Sequence, residues 1–163
     1  MKCLECQETE MVESRENHRY QESGLPNVVL RNVLVRRCPA CGIQTVSIQG
    51  IAGLHRSLAL ALIRRRERLT PAEIRFLRKS LGWSGVDFAR KFHMRQEQIS
   101  RWESGSRHVH MSISNELLLR LLVAQGQKVE DYVDHLDDVA TEEPETGLRL
   151  EFEHHPGGWA LTS

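Results

Sequence analysis

The chain has four cysteines in 163 residues, and all of them lie within its first 41 positions. The segments "CLEC" and "CPAC" place Cys3 with Cys6 and Cys38 with Cys41, two C-x2-C pairs separated by 31 residues. Such a pair sits on a tight knuckle, and two knuckles can aim four sulfurs at one ion. No cysteine is left over, and in a cytosolic chain this pattern favours zinc over disulfides. Four thiolates complete a tetrahedral shell, leaving no coordination position for water or substrate. The expectation is one structural Zn2+ per chain. Redox use of the pairs is the rival, and it would need a thioredoxin-like βαβ pattern that does not follow them.

The compartment is read from the rest of the chain. No apolar run approaches the roughly 18 residues that suggest a bilayer span. The opening "MKCLECQETE" has no apolar h-region of a signal peptide. A cytoplasmic protein without a membrane partner is expected. Between the knuckles, "NVVLRNVLVRR" (residues 27–37) is rich in β-branched residues with partial alternation, Val29, Arg31 and Val33 against Leu30, Asn32 and Leu34. It reads as strand, and "IQTVSIQG" offers further strand. Residues 1–49 are thus expected to form a small zinc-bound, β-rich domain. Their core is too small to fold without such a staple.

After Gly50 the period becomes helical. Ile51, Leu54, Leu58, Leu62 and Ile63 recur near a 3.6-residue spacing, giving a linking helix over residues 50–68. It ends in "RRRER", which reads either as complement to the helix dipole or as a phosphate-contact patch. The net charge of zero hides a strong division. Residues 51–110 carry 13 basic and 5 acidic side chains, and residues 111–163 carry 3 and 11. A basic middle segment suggests a polyanionic partner, against the plain alternative of two solvated surfaces.

Residues 69–139 read as an all-α bundle. Thr70, Pro71 and Glu73 form a helix start of N-cap, first-turn proline and capping-box acid. Ile74, Phe76, Leu77 and Leu81 face inward, and Gly82 ends the helix. Ser84 and Asp87 open a second helix with Val86, Ala89 and Phe92 on its buried face. "HM" is a tight turn. A third helix spans residues 96–104 and is stopped by Gly105. A fourth begins near Ser112 or Ser114. Two short helices joined by a few residues within a bundle make a helix-turn-helix, whose second helix lies in the major groove of DNA.

The pattern L-R-K-x-L-G-x-S-x-x-x-F-A-x-x-F, followed by I-S-R-W-E-S-G, resembles the Xre/Cro-type helix-turn-helix family. With a four-cysteine domain in front, the layout of residues 1–133 resembles the MqsA (YgiT-type) antitoxins of bacterial toxin–antitoxin systems. The resemblance implies a homodimer held through the C-terminal domain. It also implies a palindromic double-stranded DNA operator, an mRNA-cleaving toxin bound mainly by the zinc domain, and no enzymatic activity. In that family an asparagine and an arginine of the reading helix touch bases. The arginine matches Arg101, and the asparagine's position holds Glu97.

Within the reading helix, Ile99 and Trp102 are expected to pack and Glu103 to close the motif. The outward face holds Gln96, Glu97, Ser100 and Arg101. Glutamine can pair with adenine, arginine with guanine, and glutamate can accept from the cytosine amino group. Arg90, Lys91, Arg95 and Arg107 are candidates for phosphates, which position a protein without specifying sequence. Glu97 either contacts a base or ion-pairs with Arg101 four residues on and orients it. A helix-dipole role is a third reading.

Beyond these elements, Val129, Tyr132, Val133 and Leu136 continue a helical face usable for a dimer contact. Residues 140–163 read as an acidic tail. Its "LRLEFEHH" carries a short strand signal without an obvious partner, so a poorly ordered tail is expected over an added strand. The fold class is α+β. The function expected is a DNA-binding transcriptional repressor, the antitoxin of a type II system acting on its own operon. Two alternatives stand beside it: a toxin-neutralising interaction module with little DNA binding, and a free-standing zinc-containing transcription factor.

Overall fold

The structure, a computed structural model, describes residues 1–107, 109–145 and 147–162. It has mixed α and β architecture and divides into two compact units. The first comprises Met1–Tyr20, Asn27–Leu54 and Arg149–Ser163; the second comprises Gln21–Pro26 and His55–Leu148.

The first unit is a five-stranded sheet built around β2 (Val28–Arg37). β1 (Val12–Arg19) pairs antiparallel along one flank of β2. On the other flank, β3 (Gln44–Ser47) pairs antiparallel with Leu34 to Arg37. The β-branched content of β2 suits a half-buried pleated surface. Its alternation is only partial for a structural reason. Val28 and Leu30 are buried, and then Val33 and Val35, so the buried parity switches in mid-strand. Asn32 adopts φ +55° at that point, and the register against β1 slips between Glu16 and His18. Asn17 accepts from the Asn32 amide through its side-chain oxygen. This β-bulge spends one extra residue and returns both halves of β2 to the same face.

The C-terminal segment corrects the expected tail. β4 (Leu150–His155) lies parallel to Val28–Arg31 of β2, and β5 (Gly158–Leu161) pairs antiparallel with β4. Leu150, Phe152 and Trp159 are buried, and the Trp159 indole donates to the Gln49 carbonyl at 2.7 Å. The alternating apolar residues of 148–152 need cover. The ladder groups of β2 not taken by β3 provide the pairing, from about 120 positions earlier in the chain.

The second unit is helical. α1 (Ile51–Ile63), whose first turn through Leu54 counts with the first unit, buries Leu54, Leu58, Ala59, Leu62 and Ile63 and exposes Ile51. α2 (Pro71–Ser80), α3 (Gly85–Lys91), α4 (Gln96–Ser104) and α5 (Ile113–Gly126) follow. Both predicted capping boxes are formed: Thr70 with Glu73, and Ser84 with Asp87. Gly105 caps α4 at φ +75°, a left-handed conformation that favours glycine.

Three local expectations change. Val86 is 55% exposed, and Phe88 takes the central place in α3. Its ring meets Phe92 at 4.6 Å and Trp102 at 6.1 Å between centroids, both edge-on. The 3.6-residue period puts Phe88, Phe92 and Ala89 in that order on one inner arc and carries Val86 beyond it. Residues 132–138 form a 3-10 helix (Tyr132–Asp138), with Tyr132 buried and Val133 exposed, so no continuous apolar α-helical face extends there. The basic run after α1 also turns inward in part. Arg65 pairs with Glu67 and Glu73, and Arg68 pairs with Glu116. Their charges serve the bundle and are not free for phosphates.

Candidate metal centre and nucleic-acid interface

Two chain reversals build the thiol cluster. Near the first pair, the Gln7 amide donates to the Cys3 carbonyl at 3.1 Å; near the second, the Gly42 amide donates to the Cys38 carbonyl at 2.9 Å. Gln7 and Gly42 both adopt positive φ, which closes each knuckle. The four sulfurs of Cys3, Cys6, Cys38 and Cys41 lie within 4.8 Å of one another. Cys3 and Cys41 are 3.6 Å apart, and Cys6 and Cys38 are 3.5 Å apart. A tetrahedral ion with metal–sulfur bonds near 2.3 Å sets its sulfurs about 3.8 Å apart, whereas a disulfide needs about 2.05 Å. The spacing fits a shared ion.

The thiol chemistry agrees with that geometry. A hydrogen bond from the Thr9 hydroxyl, and then the Cys41 amide, draw the Cys38 thiol down to about 6. At Cys41 the Ile43 amide acts to lower the value, but the neighbouring sulfurs of Cys38, Cys3 and Cys6 and desolvation push it up to about 12. Four crowded sulfurs cannot all be anionic without a cation among them. The set could therefore hold one metal ion, and its soft donors suit thiophilic metals. Thr9 was not foreseen from the sequence; its position, three residues beyond Cys6, was the available signal.

The second candidate site is the outer face of α4. Its frame is rigid on the inner side. Ile99 and Trp102 are buried, and the Trp102 indole nitrogen has no hydrogen-bond partner among the described residues. An indole committed to packing in this way is not presented for base stacking. Glu103 accepts from Arg78 of α2 through both carboxylate oxygens, at 2.5 and 3.0 Å, and pairs with Arg75 at 3.5 Å. Arg78 also donates to the Trp83 carbonyl at 2.7 Å. These bonds fasten α4 to α2 and to the turn before α3, so Glu103 is part of the frame, as expected.

The outer side of α4 is unencumbered. Gln96, Glu97, Ser100 and Arg101 are all exposed and together line one open surface hollow. Ser104 continues the same face one turn beyond Ser100, and the sequence reading did not include it. Among the described residues, neither Glu97 nor Arg101 takes part in an ion pair, although their four-residue spacing permits one. Around this face, Arg95 is the N-cap residue of α4 and is exposed. Lys91 stands over the Trp83 ring at 5.3 Å. Arg90 pairs with Asp87 at 2.9 Å, which partly commits its charge. Arg107 is exposed just past α4.

Residues 74–123 match the family of helix-turn-helix domains designated HTH_3. That span runs from within α2 to within α5 and encloses α3 and α4 whole. The match supports a DNA-binding regulator, a class that is generally not enzymatic. No curated protein and no solved structure matches the chain. No helix among the described residues is long and apolar enough to cross a membrane.

Proposed function

We propose that this protein is a sequence-specific transcriptional repressor of the MqsA antitoxin type, with a structural zinc ion in its N-terminal unit. The observation that carries the reading is the outer face of α4: four exposed side chains with base-pairing capacity on the reading helix of a helix-turn-helix. Arg101, Gln96, Ser100 and Glu97 face the base edges. Arg95, Lys91, Arg107 and, in part, Arg90 engage phosphates. Zinc suits the four thiolates of Cys3, Cys6, Cys38 and Cys41 because it accepts tetrahedral sulfur coordination without redox change.

A palindromic operator calls for a two-fold protein, and α5 offers a seam for one. Leu118, Leu121 and Leu122 lie on the side of α5 opposite its buried Glu116, Leu119, Arg120 and Val123, and Leu118 is 41% exposed. The antitoxin role rests on the layout of the two units. Its partner is an mRNA-cleaving toxin encoded beside it, bound by the N-terminal unit in the cytoplasm.

The test is binding to the DNA upstream of its own gene, measured by fluorescence anisotropy across salt concentrations, with sedimentation to count chains per complex. A dimer neutralising about six to eight phosphates predicts a slope of log K against log salt of roughly −5 to −7. A flat salt response, or binding by a single chain, would overturn the repressor reading.

A further inference from the structure

We infer that Glu97 reads a cytosine in each half-site, independently of Arg101, so that the operator carries a cytosine and a guanine within about two base-pair steps of each other. The inference rests on the proposed DNA-binding role of α4 and specifies what that helix recognises.

Glu97 is the second residue of α4, in the part of a reading helix that meets base edges. A carboxylate facing a polyanion needs a compensating partner. Within the described chain Glu97 has none: no ion pair engages it, and the cation one turn on, Arg101, is also unpaired. An orienting salt bridge is therefore not what holds the two residues. Both remain available in the same hollow, with Gln96 and Ser100 beside them.

The base edges then decide what Glu97 can accept. A carboxylate offers only acceptor oxygens. In the major groove guanine presents two acceptors and thymine presents one, and both repel it. Adenine sets an N7 acceptor beside its N6 donor. Cytosine alone presents an amino donor with no acceptor of its own beside it. Arg101 has the opposite chemistry and donates in fork geometry to guanine O6 and N7. Four residues of helix cover about 6 Å, and successive base pairs rise about 3.4 Å, which gives the two-step spacing.

Selection of bound duplexes from a random library tests this, using the full, metal-loaded chain and two variants. Wild-type protein is expected to enrich one cytosine and one guanine per half-site at that spacing. Glu97→Gln should replace the cytosine by adenine, since glutamine pairs with adenine N6 and N7, with a reversal of at least about tenfold in relative affinity. Glu97→Ala should lose the cytosine preference and keep the guanine.

If Glu97→Gln selects the same base as wild type at every position, Glu97 serves only the helix dipole and the inference fails. If Glu97→Ala loses the guanine preference instead, Glu97 orients Arg101 and the inference fails as well. If wild-type protein binds duplexes without enriching any sequence, the inference and the sequence-specific function beneath it fall together. Since Glu97 is exposed and unpartnered, thermal melting of both variants should match wild type, which separates recognition from folding.

Discussion

Arg120 is fully buried, and its guanidinium donates to the carbonyls of Leu62, Ile63, Arg65 and Glu67 as well as to Glu116. Two of those carbonyls end α1, where the helix has no further backbone N–H donors to offer them. Glu116 is held in turn by Arg68 and by the Leu69 amide. Arg120→Ala should therefore destabilise the helical unit by about 3–5 kcal/mol, because it takes a charged donor from four carbonyls at once and removes one of the two cations that compensate the buried Glu116 carboxylate. Urea denaturation followed by far-ultraviolet circular dichroism measures it, and a loss under about 1 kcal/mol would contradict the role given to this side chain. Asp87 makes a different kind of contribution. The Ser84 amide and hydroxyl hold its carboxyl below the usual aspartate range. A lowered folded-state value means that its stabilisation is complete above about pH 4 and fades as pH falls through that lower value. The stability difference between wild type and Asp87→Asn should stay level from pH 7 to about pH 5 and shrink below about pH 4. A difference that grew on acidification would reverse the assigned sign.

Elements whose determinants lie close together in sequence were the ones most readily legible from it. The starts of α2 and α3 are fixed within four residues each, and the end of α4 by Gly105 alone, so caps and glycine placed them correctly. The four thiols were legible because metal geometry imposes its own spacing. β4 and β5 were not, since the ladder groups they complete belong to β2, and no local pattern encodes so distant a partner. The bulge at Asn32 was hidden for a related reason: it appears only when β1 is laid against β2. Pairing also explains how Phe152, in a segment read as tail, comes to be buried. Phe152→Ala should cost about 3–5 kcal/mol of local stability. Hydrogen exchange is expected to quicken at residues 28–31 and 150–153 and to stay unchanged in α2 to α4. Unaltered protection at residues 28–31 would show that β4 contributes little to the sheet. In the candidate DNA interface, the outward residues of α4 were legible from periodicity. That Glu97 and Arg101 do not pair was not, because their spacing permits both arrangements.

At the scale of the whole molecule, the two units draw on different sources of stability. The knuckle end of the first unit has a small cluster of Cys3, Met11 and Cys38, with Cys6 and Ile43 against it. The helical unit buries Leu62, Ile74, Leu77, Phe88, Ile99, Trp102 and Leu119 and ties Arg68 and Arg120 to the buried Glu116. Removing the proposed metal with a strong chelator should therefore free amide exchange around residues 1–12 and 38–44 while leaving the helical circular dichroism signal in place. Helices that melted together with metal loss would show that the units do not fold separately. The parallel pairing of β2 with β4 also sets a timetable for synthesis. β2 leaves the ribosome about 120 residues before β4, a delay of roughly 6–24 s at ordinary elongation rates. Through that interval the nascent sheet carries an unclosed edge at Val28–Arg31, the kind of edge that recruits strands from other chains. The helical unit has time to form while that edge waits, so the first unit to begin emerging is the last to be completed.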